Sequence, residues 1–122
     1  MAMAEQGRKE LPPIVQNQLG QLQQAEEQIR TVSVTKQQLE LQLNEISKAL
    51  KELENVSEGI YRSIGGLMIP VEKDRVTEEL SEKKETLDVK IQSLGKQESR
   101  LRDRIQNLQQ QIQSSLKSMG AG

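Results

Sequence analysis

The sequence contains no cysteine, histidine, phenylalanine or tryptophan, and Tyr61 is its one aromatic residue. Without histidine and cysteine, zinc, haem and iron–sulfur sites lack their usual ligands, and nucleophiles that need a histidine partner are excluded. The core of a globular domain of 122 residues normally uses large aromatic side chains to fill its centre. We therefore expect no catalytic residue, no metal site and no cofactor, and we expect that the protein is not an enzyme.

Long apolar runs and a strong charge excess are also missing. No run approaches the roughly 20 apolar residues that span a bilayer, and the start of the chain lacks the apolar core of a secretory signal. The formal net charge is -1, so the chain has no excess of basic residues that would attract nucleic acid or an anionic membrane. We expect a cytoplasmic protein that binds neither nucleic acid nor membrane.

Glutamine and leucine dominate the composition, with 17 and 15 copies, as is typical of long helices and coiled coils. After Pro12 and Pro13 no proline occurs until Pro70, and glycines cluster between residues 59 and 66. Because proline and glycine interrupt helices, this spacing predicts two long helices around a short centre. We expect residues 1–122 to form a single domain. Its predicted parts are a helix over residues 13–54, a hairpin region over 55–73 and a helix over 74–118.

A heptad repeat runs through the first predicted helix without a break in register. Ten of its twelve a and d positions are apolar. The a positions are Val15, Leu22, Ile29, Lys36, Leu43 and Leu50, and the d positions are Gln18, Ala25, Val32, Leu39, Ile46 and Leu53.

The second predicted helix repeats the pattern with five consecutive d leucines at Leu80, Leu87, Leu94, Leu101 and Leu108. Its a positions are Thr77, Lys84, Ile91, Glu98, Ile105, Ile112 and Met119. One antiparallel register, folded back at residue 65, aligns the a positions of each helix with the d positions of the other. It places Leu43 opposite Leu87 and Ile29 opposite Leu101. Lys36, Lys84 and Glu98 interrupt this apolar seam. They either fix its register or extend separately into water, and we interpret them as structural residues in both cases.

The centre of the sequence has strand character. Two short β-prone runs, residues 60–64 and 67–71, flank Gly65-Gly66, a pair suited to a two-residue hairpin turn with positive φ. A lone hairpin is marginal in water, and this one would leave apolar side chains and two strand edges uncovered. We expect it to form the subunit interface; the alternative is an apolar loop that caps the coiled coil. The predicted interface residues, the hairpin surface, are Ile60, Tyr61, Ile64, Leu67, Met68, Ile69 and Val71.

This order of elements resembles the prefoldin family, and particular residues extend the likeness to its archaeal β subunits. The run Leu19-Gly20-Gln21-Leu22-Gln23-Gln24 and the run from Asn44 to Leu50 are similar to the first helix of that class. Tyr61-Arg62-Ser63-Ile64-Gly65, followed by Leu67-Met68-Ile69, is similar to its hairpin. The hairpin motif makes the resemblance specific, since coiled coils alone imitate one another. Family α subunits carry two hairpins, whereas residues 55–73 leave room for one.

The resemblance implies a mainly α fold, in which a long antiparallel two-helix coiled coil is joined by one central β-hairpin and hairpins from several subunits form a β-barrel. It implies a hetero-hexamer of two α and four β subunits. It also implies an ATP-independent holdase that captures unfolded proteins at its coiled-coil tips and transfers them to a group II chaperonin. A structural coiled-coil adaptor with one fixed protein partner is the alternative function.

The tip, where both ends of the predicted coiled coil meet, is the predicted client-binding site. Ile14, Leu19 and Leu116 fall outside the a and d seam, so that the helix pair does not obviously bury them. The alternative is that they simply cap the coiled coil. The complete tip set is Leu11, Pro12, Pro13, Ile14, Val15, Leu19, Ile112, Leu116 and Met119.

Overall fold

The computed structural model describes residues 11–120, and these form two long helices and one antiparallel hairpin. Helix α1 spans Pro13–Glu54, strand β1 Tyr61–Ile64, strand β2 Leu67–Pro70 and helix α2 Lys73–Ser118. The predicted fold of two long helices around a central hairpin is confirmed, and α2 begins one residue before the expected position.

Both ends of α1 follow from its sequence. Pro13 is its first residue, where a missing N–H costs nothing and the fixed φ suits the helix. The amide of Gln16 donates to the Pro12 carbonyl at 3.1 Å and closes the first turn. At the other end, Asn55 and Val56 donate to carbonyls three residues earlier, which tightens the last turn before the chain leaves the helix.

Helix α2 has charges that suit its dipole at both ends. Asp74 lies in the first turn and Lys117 in the last, where each opposes the partial charge of the helix terminus. Gly120, with a φ of 72°, follows the helix and donates its amide to the Lys117 carbonyl at 3.0 Å. A glycine with positive φ is a common way to stop a helix.

The hairpin has the predicted two-residue turn. Tyr61 pairs with Pro70 and Ile64 with Leu67, so Gly65 and Gly66 form the loop. Their φ values of 54° and 82° lie in the region of positive φ that residues with a Cβ atom rarely adopt. One further backbone bond, from the Val71 amide to the Ile60 carbonyl at 3.0 Å, extends the ladder toward the helices.

The chain divides into two compact units. The terminal unit contains the described residues of 1–33 and 96–122, and the hairpin unit contains residues 34–95. In the terminal unit, Ser33 contacts Glu98 and Gln18 contacts Ser115, an order that requires antiparallel helices. In the hairpin unit, one groove is lined by Gln42 and Ile46 of α1 and by Leu87 of α2. The α2 lining of the same groove runs from Glu79 to Lys90, so the stretch of α1 around Leu43 lies beside the stretch of α2 that contains Leu87.

Burial follows the heptads. Every a and d side chain of α1 is buried or half-buried, and in α2 the same is true from Thr77 to Ser115. Val15, Ala25, Leu87 and Leu108 are the buried apolar residues among those described. Each unit therefore has a narrow apolar seam between its helices. No helix in the described chain is both long and apolar enough to cross a membrane.

Candidate functional site

The hairpin surface is the largest concentration of exposed apolar side chains in the hairpin unit. All ten residues from Tyr61 to Pro70 are exposed, including Leu67 at 68% and Met68 at 65%. Ile60 and Val71, which continue the strands toward the helices, are half-buried. Five of the seven residues predicted to form an interface therefore lie together and are exposed in the single chain.

Apolar groups occur on both faces of this hairpin. Successive side chains of a strand point to opposite faces, and the pairing register shows which ones share a face. Tyr61 and Met68 lie on one face, whereas Ile64, Leu67 and Ile69 lie on the other. A single helix packed beneath the hairpin could cover only one of these faces.

The two edges of the hairpin differ. Backbone groups of alternate residues in an antiparallel pair point away from the partner strand. Because the Val71 amide bonds the Ile60 carbonyl, the outward groups are those of Tyr61 and Ser63 in β1 and of Met68 and Pro70 in β2. Pro70 has no N–H, so β2 offers a neighbouring strand one donor fewer than β1.

An ion pair that the sequence reading missed joins the hairpin to a helix. Arg62 Nη2 of β1 lies 2.6 Å from Glu79 Oε2 of α2. Arg75 Nε, one turn earlier on α2, lies 3.9 Å from the other oxygen of the same carboxylate. The hydrogen bond and charge of Arg62 lower the pKa of the Glu79 carboxyl, and the charges of Arg75 and Lys83 act in the same direction.

The tip set lies entirely within the terminal unit, with members on both helices. Ile14 is 59% exposed and Met119 is 42% exposed. Leu19 and Leu116 are half-buried, as are Leu11, Pro12 and Ile112, and Pro13 is exposed. Val15 is only 1% exposed, so in this chain it packs in the seam and does not contribute accessible surface.

Polar contacts cross the seam of the terminal unit. Ser33 Oγ donates to Glu98 Oε2 at 2.6 Å, although Glu98 occupies an a position and is 8% exposed. Nearer the chain ends, Ser115 Oγ donates to Gln18 Oε1 at 3.2 Å. Both contacts place polar groups where a heptad normally has apolar ones, and they restrict the register in which the helices can pair.

Three exposed apolar side chains lie outside both predicted surfaces. Val34, Leu41 and Val89 are each more than half exposed in the hairpin unit. They occupy f positions, on the side of each helix that faces away from the seam. The heptad assignment alone could have identified them, because f positions are normally polar.

No group of three or more metal-binding side chains is found among residues 11–120. Titratable side chains in this part of the chain lie mostly on open helix surfaces. The features that the geometry brings together are therefore apolar surfaces: one on the hairpin and one where the helix ends meet.

Comparison with known proteins gives consistent matches over most of the chain. The family described as prefoldin subunit matches residues 16–119. A prefoldin subunit beta of Thermococcus onnurineus is 42% identical over 109 residues, which cover 88% of this chain and 94% of the relative. That of Methanosarcina acetivorans is 40% identical, covering 88% and 93%. The crystal structure of the prefoldin beta subunit from Thermococcus strain KS-1 is similar with a TM-score of 0.80 and 40% identity, covering 86% of this chain and 94% of that one.

Proposed function

The chain belongs to the prefoldin family of chaperone subunits, and from this premise we propose that it is a β-type subunit that captures unfolded proteins without ATP. The observation that carries the proposal is the hairpin, whose apolar side chains are exposed on both faces. Such a hairpin is incomplete in one chain. It supports a protein that works only as part of an assembly.

Membership of the family means that the chain assembles with other prefoldin subunits. We propose that the hairpin surface makes these contacts and that hairpins from several subunits close into a β-barrel. Closure supplies each outer strand with a partner and covers both faces. The proposed assembly is a hexamer of two α and four β subunits, with this chain as the β component.

Client capture is assigned to the tip set apart from Val15, which is buried in the seam. An unfolded client has no fixed shape, so it offers scattered apolar groups and not one complementary surface. Each contact is weak, because burying one methylene contributes about 0.8 kcal/mol. Several subunits that hold one client together can raise its affinity by about 10²–10⁴ without a new kind of contact. Exposed Ile14 and Met119, beside half-buried Leu19 and Leu116, supply suitable apolar surface.

The subunit acts in the cytoplasm and passes its clients to a group II chaperonin. It carries out no catalysis, in keeping with a sequence that has neither histidine nor cysteine and no phosphate-binding loop. The adaptor hypothesis differs in one testable respect: an adaptor binds one fixed partner, whereas a holdase binds many unrelated clients.

The test follows the aggregation of several unrelated denatured proteins, with the chain assembled with its α partner. We expect the assembly to suppress aggregation of all of them at near-stoichiometric ratio. Replacing Ile14, Leu19 and Leu116 by serine, singly and then together, should weaken this protection in steps while the assembly stays intact.

Leu41→Ser is the matched control. This leucine is 66% exposed but lies in the hairpin unit, outside the tip set. It should leave protection unchanged. If Leu41→Ser weakens protection and the triple tip variant does not, clients bind along the helices and the tip assignment is wrong. Suppression of no client, or of one only, would favour the adaptor.

A further inference from the structure

The strands of the hairpin have one polar side-chain contact with the helices. In the described part of the chain, the Arg62–Glu79 pair is the sole side-chain hydrogen bond or ion pair that joins β1 or β2 to a helix. Its two residues are 17 positions apart in sequence, and both side chains are a little less than half exposed. The contact therefore links a strand to the second turn of α2.

Apolar packing does little to fix the hairpin against the helices. The side chains from Tyr61 to Pro70 are all exposed, so none of them is seated in a core. The connections are a six-residue segment before β1 and the two residues Val71 and Glu72 after β2. Gly59 in the longer connection has a φ of 75°, a conformation available chiefly to glycine.

The position of Arg62 determines which face of the hairpin is tied to α2. Arg62 is paired across the strands with Ile69, and it shares a face with Ile64 and Leu67. The ion pair draws the Arg62–Ile69 end of this face toward α2, and Ile69, at 40%, is correspondingly the least exposed of the large apolar side chains in the strands. Tyr61 and Met68 are thereby left on the face directed away from this contact.

Assembly through strand pairing requires the hairpin to lie at a defined angle to α2. Neighbouring strands in a sheet lie about 4.8 Å apart, and their hydrogen bonds weaken steeply when the groups are misaligned. A hairpin that tilts freely on its helices would present its edges over a range of angles and would lose conformational entropy on every docking event. A contact that holds the angle beforehand reduces that loss.

We propose that Glu79 and Arg62 are positioning residues, which hold the hairpin at the angle on α2 that assembly with other subunits requires. Arg75 supports them by holding the second oxygen of the Glu79 carboxylate from within α2. The inference rests on the proposed function in one respect, that the hairpin surface is the subunit interface.

Charge reversal tests the pair. Arg62→Glu or Glu79→Arg places like charges together, and each should raise the concentration at which the assembly half-dissociates by about threefold to tenfold. The double variant Arg62→Glu with Glu79→Arg restores an opposite-charge pair and should recover most of the loss. Recovery is incomplete because Arg75 then lies one turn from an arginine. Mass photometry over a dilution series measures these concentrations.

Glu78→Arg is the matched control, since it makes the same charge change at the neighbouring exposed position, for which the described chain has no ion pair. It should leave assembly within about twofold of the unaltered protein. Equal loss in Glu78→Arg and Glu79→Arg, or no rescue in the double variant, would overturn the proposal.

A second measurement reports the hairpin angle directly. The chain has no cysteine, so spin labels can be placed specifically at Ser63→Cys in β1 and Ser81→Cys in α2. We expect one narrow distance distribution in the full-length chain and a broader one after Glu79→Gln. An unchanged width would show that other forces fix the angle. If the charge reversals have no effect while replacing Ile64 and Ile69 together with aspartate abolishes assembly, this inference fails and the proposed interface stands. If those aspartates have no effect either, the proposed interface fails as well.

Discussion

Apolar side chains are covered in the helix seam, whereas those of the hairpin strands are exposed. In α1 every a and d side chain is at least half-buried, whereas all ten residues from Tyr61 to Pro70 are exposed. Each helix packs its a and d side chains against the other helix of the same chain, because the two helices have similar lengths and are joined by the hairpin. The hairpin has only two strands and no covering layer. Folding of the single chain therefore covers the apolar side chains of the helix seam and leaves those of the hairpin strands exposed.

The largest expected effect comes from placing negative charges on the hairpin surface. Replacing Ile64 and Ile69 together with aspartate should abolish assembly and leave the helical circular dichroism signal nearly unchanged. The reason is that burying an unpaired carboxylate in an interface costs far more than exposing it on a single chain. Light scattering measures the assembled mass.

The double variant Leu41→Asp with Val89→Asp is the control, because both residues are apolar and exposed, at 66% each, but lie outside the hairpin. It should assemble normally. A hexamer that survives the change at Ile64 and Ile69 would place the interface elsewhere on the chain.

Truncating the seam should have the complementary effect, on stability. Leu87 is 8% exposed and Leu108 is 4% exposed, one in each compact unit. Leu87→Ala and Leu108→Ala should each lower the free energy of unfolding by about 2–3 kcal/mol, since each removes buried methylenes and leaves a cavity. Thermal unfolding at one fixed protein concentration measures the change.

Leu41→Ala makes the same substitution at an exposed position and should change the free energy of unfolding by less than about 0.5 kcal/mol. If Leu41→Ala is as destabilising as Leu108→Ala, burial at a and d positions does not control the stability of the helices.

The features that the sequence predicted are those with a local signal. Heptad spacing predicted which helix residues are buried, because burial in a two-helix pair is set by the period of the apolar residues. The Gly65-Gly66 pair predicted the turn, because two successive positive φ values are rarely accessible to other residues. The start of α2 was placed one residue late, at Asp74, since helix ends depend on single hydrogen bonds such as that from Val76 to the Glu72 carbonyl.

Features without a local signal were not predicted. The Arg62–Glu79 pair depends on the angle between a strand and a helix, and no pattern in either segment contains that angle. The tip set shows an intermediate case. Leu19 and Leu116 lie at e positions, which flank the seam. The heptad assignment therefore places them outside the seam, whereas in the structure both are half-buried. The client-binding and assembly residues themselves stay predictions until they are tested.

The smallest of the expected effects concerns the polar contact inside the seam. Ser33 Oγ donates to Glu98 Oε2 at 2.6 Å, and Glu98 is as buried as Leu87, each being 8% exposed. Ser33→Ala removes this hydrogen bond and should cost about 1 kcal/mol, less than either leucine truncation. Alanine also has the higher helix propensity, by about 0.5 kcal/mol, which would conceal part of the loss.

Ser93→Ala isolates the hydrogen bond from that propensity gain. Ser93 is exposed in the interior of α2, and no hydrogen bond of its side chain is found among the described residues. Its replacement should therefore stabilise the protein slightly, and the difference between the two variants in free energy of unfolding measures the contact alone. We expect a difference of about 1 kcal/mol, because the bond is short and its acceptor is shielded from water. Equal stability of the two variants would mean that Ser33 adds nothing to the seam. The preference for one register would then have to come from the buried apolar side chains of the seam and from the Gln18–Ser115 contact.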